Sequence, residues 1–132
     1  MIRILYSDEF CKEFKSLAKK RRSLGELEWE GDFEVLKNLI KENPTGNVCV
    51  ERIDQLGDNI TLPVYKVRKF YCADLKSNNK LRVIYIYDEY SEEIRFIQFI
   101  ELYAKADKEG EDRKRIEKYA KGKRHIDDSD TI

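Results

Sequence analysis

Histidine, cysteine and proline are scarce in this chain of 132 residues, which contains one histidine, three cysteines and two prolines. Its cysteines, Cys11, Cys49 and Cys72, are widely spaced and form no Cys-x-x-Cys pair. With His125 as the single histidine, the chain lacks the ligand spacing that is typical of a zinc site. Scattered cysteines in an odd number indicate buried thiols in a reducing compartment.

Long apolar runs are also missing. No stretch approaches the roughly 18 consecutive apolar residues that a membrane helix requires. The amino terminus does not resemble a secretory signal, because charged residues begin at Arg3. We therefore expect a cytoplasmic protein that has no membrane partner. The length predicts one domain over residues 1–122, and the polar residues 123–132 are expected to form a flexible tail.

The net charge is zero, but the charges are unevenly distributed along the chain. There are 26 basic and 26 acidic residues. Residues 26–36 carry five acidic groups and no lysine or arginine, whereas residues 64–82 carry six basic groups against Asp74. Residues 105–124 hold nine basic groups against five acidic ones. Local fields of this kind attract a polyanion even when the total charge is zero.

Two amphipathic helices are predicted in the first third of the chain. Ser7 can cap the first, whose apolar residues recur at helical spacing to about Arg21. A second apolar stripe begins at Trp29 and is interrupted before Pro44. Asp32 is one candidate cap for this helix, and an earlier start also fits the pattern. Consecutive helices with a short connection predict an antiparallel helical hairpin.

Strand patterns dominate the remainder. Alternating or β-branched and aromatic residues predict strands at 2–6, 64–72, 81–87 and 94–103, with a short alternating stretch at 48–50. Both faces of the last two strands are apolar, so these strands are expected to lie in the centre of the sheet. A final helix over 111–121 has few apolar residues and is expected to dock only lightly.

The predicted order β-α-α-β-β-β-α gives an α+β fold. In this fold an N-terminal helical hairpin packs on a small, mostly antiparallel sheet, and a C-terminal helix follows. One core is expected between the hairpin and the sheet, formed by Phe10, Phe14, Leu17, Leu36, Ile40, Val83, Tyr85, Phe96 and Ile100.

Three segments that follow the two helices carry a family resemblance. They read YKVRKFYCADL, LRVIYIYDE and ELYAKADKE. In this order they resemble the RelE/ParE toxin superfamily of bacterial and archaeal toxin–antitoxin modules. The most specific piece is the LRVIY strand at residues 81–85, which precedes a hairpin. The resemblance covers about residues 2–120 and implies a RelE-like arrangement of the predicted elements.

Members of the RelE branch are small endoribonucleases, most of which cut messenger RNA on the ribosome without a metal or cofactor. The 2′-hydroxyl attacks the adjacent phosphate, so the protein must manage two proton transfers and neutralise the charge on the phosphorane. The resemblance implies that Arg82 contacts the scissile phosphate and that Tyr103 and Lys105 complete the catalytic set. The implied RNA contacts are Lys66, Arg68, Lys69, Lys80 and Lys108.

The resemblance also implies partners. A toxin of this class inhibits translation and is held inactive by a cognate antitoxin, in a toxin–antitoxin hetero-oligomer. Relatives are neutralised by an extended or helical antitoxin segment. Because the last helix combines few apolar residues with a basic face, we expect an acidic amphipathic helix to dock against residues 105–121 or to displace them.

Two other functions stay open. The ParE branch poisons DNA gyrase by binding, without enzymatic activity, and an inert homologue would only bind an antitoxin. The candidate residues also have a structural interpretation, because such side chains are common at strand ends, and Tyr87 or Tyr119 can equally supply a phenol. The sequence pI of about 6.6 and the helix after the last strand both depart from the strongly basic nucleases of the family.

Overall fold

A computed structural model describes residues 1–23, 29–46, 50–68, 81–104 and 110–121. The elements within these ranges are β1 (Ile2–Tyr6), α1 (Asp8–Ser23), α2 (Trp29–Glu42), β2 (Val50–Arg52), β3 (Val64–Val67), β4 (Leu81–Asp88), β5 (Arg95–Ala104) and α3 (Arg113–Ala120). This content confirms the predicted α+β class. The short strand β2 adds one strand to the predicted order.

The strands form one mixed sheet in the order β1-β5-β4-β3-β2. β1 runs parallel to β5, whereas the other neighbouring pairs are antiparallel. The prediction of a mostly antiparallel sheet is therefore confirmed, as is the central position of β4 and β5. Within the described ranges, no helix is long and apolar enough to cross a membrane.

Local signals define the ends of the two long helices. The Ser7 hydroxyl accepts a hydrogen bond from the backbone N–H of Phe10 at 3.1 Å, so the predicted cap of α1 is confirmed. α2 starts at Trp29 and ends at Glu42. Asp32 consequently lies inside the helix, and its predicted role as a cap is wrong. The predicted stop before Pro44 is confirmed, because the residue before a proline disfavours helical geometry.

The apolar core is divided between the two faces of the sheet, so the prediction of a single core is wrong. The first cluster lies between the sheet and the helices α1 and α2. It contains the predicted residues Phe10, Phe14, Leu36, Ile40, Val83 and Tyr85, and half-buried Leu17 and Cys11 pack against it. Ile100 belongs to the second cluster, together with Ile84 of β4 and Ile116 of α3. Buried Phe96 lies in neither cluster and packs edge-on against Tyr90.

A β-bulge in β5 changes which face the residues after Ile100 occupy. Ile84 pairs with Glu101, but the next residue, Tyr85, pairs with Phe99. Ile100 is therefore the extra residue of β5, and a bulge of this kind interrupts the strict alternation of a strand. Ile100 shares the face that α3 covers with Gln98, which pairs with Ile86 of the second cluster. Glu101 lies on this same face, and alternation resumes at Leu102 in the first cluster. Ile100 was assigned to the wrong cluster because the sequence does not give the register of β5 against β4, which decides the face of each of its residues.

The last helix is shorter and more firmly packed than predicted. α3 runs from Arg113 to Ala120, and the carboxylate of Asp112 caps its first turn. Its apolar residues Ile116 and Tyr119 are at most 3% exposed. The expectation of light docking is wrong because these few residues all face the second cluster. The predicted strand residues 69–72, the turn 76–80 and the tail 123–132 lie outside the described residues.

Candidate functional site

Arg82 and Tyr103 lie side by side on the face of the sheet that α3 covers. They are paired in the antiparallel register of β4 and β5. Directly paired residues of adjacent strands point to the same face. Tyr103 packs with Ile116 and Tyr119 of α3 in the second cluster, which identifies the face. The structure thus brings together two of the three predicted catalytic residues.

Both side chains are buried. Arg82 is 6% exposed and Tyr103 is 7% exposed. One guanidinium nitrogen of Arg82, Nη1, donates to the backbone carbonyl of Leu81 at 3.1 Å. A buried guanidinium is stable only when it is hydrogen-bonded or paired with charge. In this conformation, therefore, Arg82 is held against the protein, and little of its side chain is accessible to a ligand.

Lys66 supplies a third polar group on the same face. It pairs with Ile84 of β4, so its side chain also points toward α3. Its ammonium nitrogen lies 3.0 Å from a carboxylate oxygen of Glu111, just before α3. Arg113 contacts the other oxygen of the same carboxylate at 3.0 Å. Lys66, predicted to bind RNA, is therefore neutralised by an acidic residue of the chain itself.

The electrostatic environment keeps Glu111 ionised. Burial alone would raise the pKa of this carboxyl. A hydrogen bond from its own backbone amide and the charges of Lys66 and Arg113 outweigh burial and lower the pKa. Glu111 thus presents a stable negative charge to the cationic face of the sheet.

Glu101 is a fully buried carboxylate on that face. It lies opposite Ile84 in β4, two residues before Tyr103. Its Oε1 accepts the backbone N–H of Asp112 at 2.8 Å. This bond attaches the start of α3 to the centre of the sheet.

Arg115 and Glu13 form a second ionic contact beneath α3. Nη1 of Arg115 lies 2.7 Å from Oε1 of Glu13 and also donates to the carbonyl of Ile100 at 3.0 Å. The same Glu13 oxygen accepts the backbone N–H of Leu102 at 3.1 Å. Burial raises the pKa of Glu13 although Arg115 and that amide act in the opposite direction. This pair connects α1, β5 and α3 around the candidate site.

α3 is also attached to the first turns of α1 through Glu9. The hydroxyl of Tyr119 donates to Oε1 of Glu9 at 2.5 Å, and Lys118 lies 3.3 Å from the other oxygen. Tyr119 was an alternative source of a catalytic phenol. Its hydroxyl is instead committed to a contact between helices, whereas Tyr87 lies in the first cluster on the other face of the sheet.

The remaining predicted RNA contacts fall into two groups. Arg68, just after β3, is about half exposed and forms an ion pair with Glu51 of β2. Its guanidinium is far more accessible than the ammonium of Lys66. The other predicted cations, Lys69, Lys80, Lys105 and Lys108, lie outside the described residues.

Three acidic residues at this site, Glu13, Glu101 and Glu111, were not predicted from the sequence. The signal for Glu101 was present, because it is the one acidic residue in β5, whose other buried residues apart from Gln98 are apolar. A carboxylate in a strand that is buried on both faces needs a partner. Glu13 and Glu111 gave no comparable signal, since acidic residues on a helix or before one are common on protein surfaces.

In the part of the chain that the structure describes, no group of three or more histidine, cysteine, aspartate or glutamate side chains is arranged to hold a metal ion. No family model, curated protein or solved structure matches the chain.

Proposed function

We propose that this protein is a RelE-like toxin that cleaves messenger RNA on the ribosome without a metal. In this proposal a cognate antitoxin holds the toxin inactive. The observation that carries it is the direct pairing of Arg82 with Tyr103, with Lys66 on the same face of the sheet. A guanidinium, a phenol and an ammonium are the groups that phosphodiester cleavage by a 2′-hydroxyl can use.

Each group has a distinct role in the proposed reaction. The planar guanidinium of Arg82 can contact two phosphate oxygens at once and neutralise the phosphorane. Lys105 is assigned a second positive charge opposite Arg82, and Tyr103 is assigned to proton transfer at the 2′-hydroxyl or the leaving 5′-oxygen. Arg68 and the other predicted cations bind flanking phosphates, which adds affinity without sequence preference.

Access to Arg82 requires a rearrangement in this proposal. Lys66 contacts Glu111, and Glu101 binds the backbone of Asp112, so the segment before α3 lies over the cationic face. RNA phosphates would compete with the Glu111 carboxylate for Lys66. The proposed active state is therefore one in which residues 110–112 have moved away from β3.

Induction in growing cells provides the first test. Primer extension on total messenger RNA is expected to reveal new 5′ ends within translated regions, in register with the reading frame. The purified protein is expected to cleave RNA on programmed ribosomes in the presence of a chelator. Growth arrest without new 5′ ends, together with inhibited DNA supercoiling, would replace this proposal with gyrase poisoning.

A charge-neutral substitution tests the proposed competition more directly. Glu111→Gln removes the negative charge next to Lys66 and is expected to increase the cleavage rate. Glu117→Gln is the matched control, because Glu117 of α3 pairs with Lys121 on an exposed surface. An equal response of both variants would show that the effect comes from overall charge.

An inert antitoxin-binding homologue is the second candidate, and one observation favours it. Arg82 is buried and Lys66 has an acidic partner, which is the arrangement expected of structural ion pairs. The two candidates differ in one measurement. An inert homologue binds its antitoxin but leaves messenger RNA intact on ribosomes. The Glu111→Gln substitution does not make such a homologue active.

A further inference from the structure

The two edges of the sheet differ in how well they are protected against pairing with another chain. β2 forms one edge, and it is only three residues long. Two of these residues are charged and have ion-pair partners, Glu51 with Arg68 and Arg52 with Asp54. Short length and charge are the usual means by which a protein protects an edge strand.

β1 forms the other edge and has less protection. It is five residues long, and Arg3 is its one charged residue. Within the described ranges, no strand pairs with its outer side. The amide of Ser7 donates to Phe99, and that of Arg95 donates to Met1, each at 3.0 Å. The polar groups of odd-numbered β1 residues therefore point to β5, and those of Ile2, Ile4 and Tyr6 point outward.

A groove of about 350 Å³ follows this edge between β1 and α2. Ile2, Ile4 and Tyr6 line it on the strand side, and Lys37 and Lys41 line it on the helix side. The two isoleucines are half-buried against the first cluster. An extended peptide beside β1 can thus meet backbone hydrogen-bonding groups and apolar side chains at the same time.

The charge of the groove defines the partner. Among the described residues that line the groove, three are cationic (Arg3, Lys37 and Lys41) and one is acidic, Glu34. Glu34 lies 2.7 Å from Lys37. Burial lowers the pKa of Lys37, but Glu34 and the Tyr6 hydroxyl outweigh this effect and raise it. The groove therefore retains a positive charge at neutral pH and attracts an acidic segment.

We propose that the outer edge of β1 binds an extended acidic segment of a partner protein, which adds a strand to the sheet. Its alternate apolar side chains enter the groove, and its acidic side chains approach Lys37 and Lys41. A second copy of this chain fits less well, because pairing of two β1 edges would bring the same cations close together. This proposal does not depend on ribonuclease activity.

Selection of short random peptides displayed on phage against the intact protein tests the proposal. Enriched peptides are expected to alternate apolar and acidic residues. A synthetic copy of one such peptide is then titrated by fluorescence anisotropy. Ile4→Pro removes one outward N–H without removing a bond to β5, and it should weaken binding about tenfold. Ile4→Val keeps the N–H and should bind within about twofold of the wild type.

Charge reversal gives an independent measurement if Ile4→Pro fails to fold. The double variant Arg3→Glu/Lys41→Glu should weaken binding about tenfold or more, and higher salt should weaken wild-type binding. Lys15→Glu, an exposed position on α1, is the matched control and should bind as the wild type does. Binding that is unchanged by the charge reversal, or the absence of any enriched peptide, would overturn the proposal.

Hydrogen exchange identifies the strand directly. The peptide should slow exchange at the amide of Ile4, which points outward, and leave the inward amide of Leu5 unchanged. Protection confined to α3 instead would place the peptide elsewhere and refute the proposal. Dimerisation of the protein alone, abolished by Ile4→Pro in sedimentation, would assign this edge to a second copy and equally overturn it.

Discussion

The ammonium group of Lys66 lies 3.0 Å from the carboxylate of Glu111, and this contact joins β3 to the start of α3. Their side chains are 13% and 9% exposed. Charges with so little access to water are costly to leave without a partner. The pair therefore fixes the position of residues 110–112 over the sheet face that carries Arg82.

Removal of one member of this pair should destabilise the protein more than removal of both. Lys66→Ala leaves Glu111 with Arg113 as its remaining cation, and we expect a loss of about 1–3 kcal/mol in the free energy of unfolding. Lys66→Met combined with Glu111→Leu replaces the pair with apolar side chains and should recover most of this loss. Urea denaturation measures all three proteins. A double variant that is less stable than Lys66→Ala would contradict this account.

The stabilisation from Glu111 should depend on pH. Its pKa in the folded protein is below the ordinary value of 4.5. A lowered pKa means that the unfolded state binds more protons in the titration range, so the stabilisation is present above pH 4.5 and is lost as the pH falls through the folded pKa. The stability gap between the wild type and Glu111→Gln should therefore be largest near neutral pH and disappear on acidification.

The wild type has to be compared with Glu111→Gln because the pH dependence of stability that Glu13 contributes has the opposite sign. Burial raises the pKa of Glu13 above its ordinary value of 4.5. Its contribution is present below pH 4.5 and is lost as the pH rises through the folded pKa. The wild-type profile mixes both groups, whereas the difference between the two proteins isolates Glu111. A gap that stays constant from neutral to acidic pH would refute the assignment.

Phe10 is the residue whose truncation should damage the first cluster most. Its ring is fully buried and lies within about 6 Å of the rings of Tyr6, Phe14, Phe33 and Phe99. Phe10→Ala should lower the free energy of unfolding by about 3–5 kcal/mol. Val35→Ala on α2 is the control, since Val35 is 60% exposed and its truncation should change stability by less than about 0.5 kcal/mol. Equal melting temperatures of the two variants would show that the core is misassigned.

Elements with a strong periodic pattern were predicted from the sequence. The cap at Ser7, the end of α2 before Pro44 and the central position of β4 and β5 each follow from local residue chemistry or from apolar periodicity. The division of the core was not predicted, because the sequence does not show which alternating face of β5 lies toward α1 and α2 and which lies toward α3. The bulge at Ile100 adds a further shift, since Glu101 falls on the same face as Ile100. A bulge of this kind depends on the tertiary structure and leaves no simple periodic signal.

The sequence pointed to the basic residues of the candidate site but not to the acidic residues that surround them. Arg82 and Tyr103 were selected through the family resemblance, and the structure pairs them on one face. Glu13 and Glu111 become partners of Arg115 and Lys66 only when α3 folds back over the sheet. Contacts between residues so far apart in sequence depend on topology, which apolar periodicity does not specify.

Substitution of Arg82 tests the proposed chemistry. If its guanidinium neutralises the phosphorane, its charge matters more in the transition state than in the ground state. Arg82→Ala should slow cleavage by about 10²–10³. Arg82→Lys should restore the rate only in part, because an ammonium cannot contact two oxygens in the planar geometry of a guanidinium. Single-turnover cleavage on programmed ribosomes gives these rates.

Burial of Arg82 makes a folding control essential, because loss of the guanidinium also removes its bond to the carbonyl of Leu81. Circular dichroism and urea denaturation therefore accompany each rate. Tyr103→Phe keeps the ring in the second cluster and removes only the hydroxyl, so a slower rate at unchanged stability would assign the phenol to proton transfer. Lys105→Ala should cost less than Arg82→Ala, and the double variant less than the sum, since both cations act on one phosphate. A folded Arg82→Ala protein that cleaves at the wild-type rate would exclude Arg82 from the reaction, because a group that neutralises the phosphorane has to affect the rate of its formation.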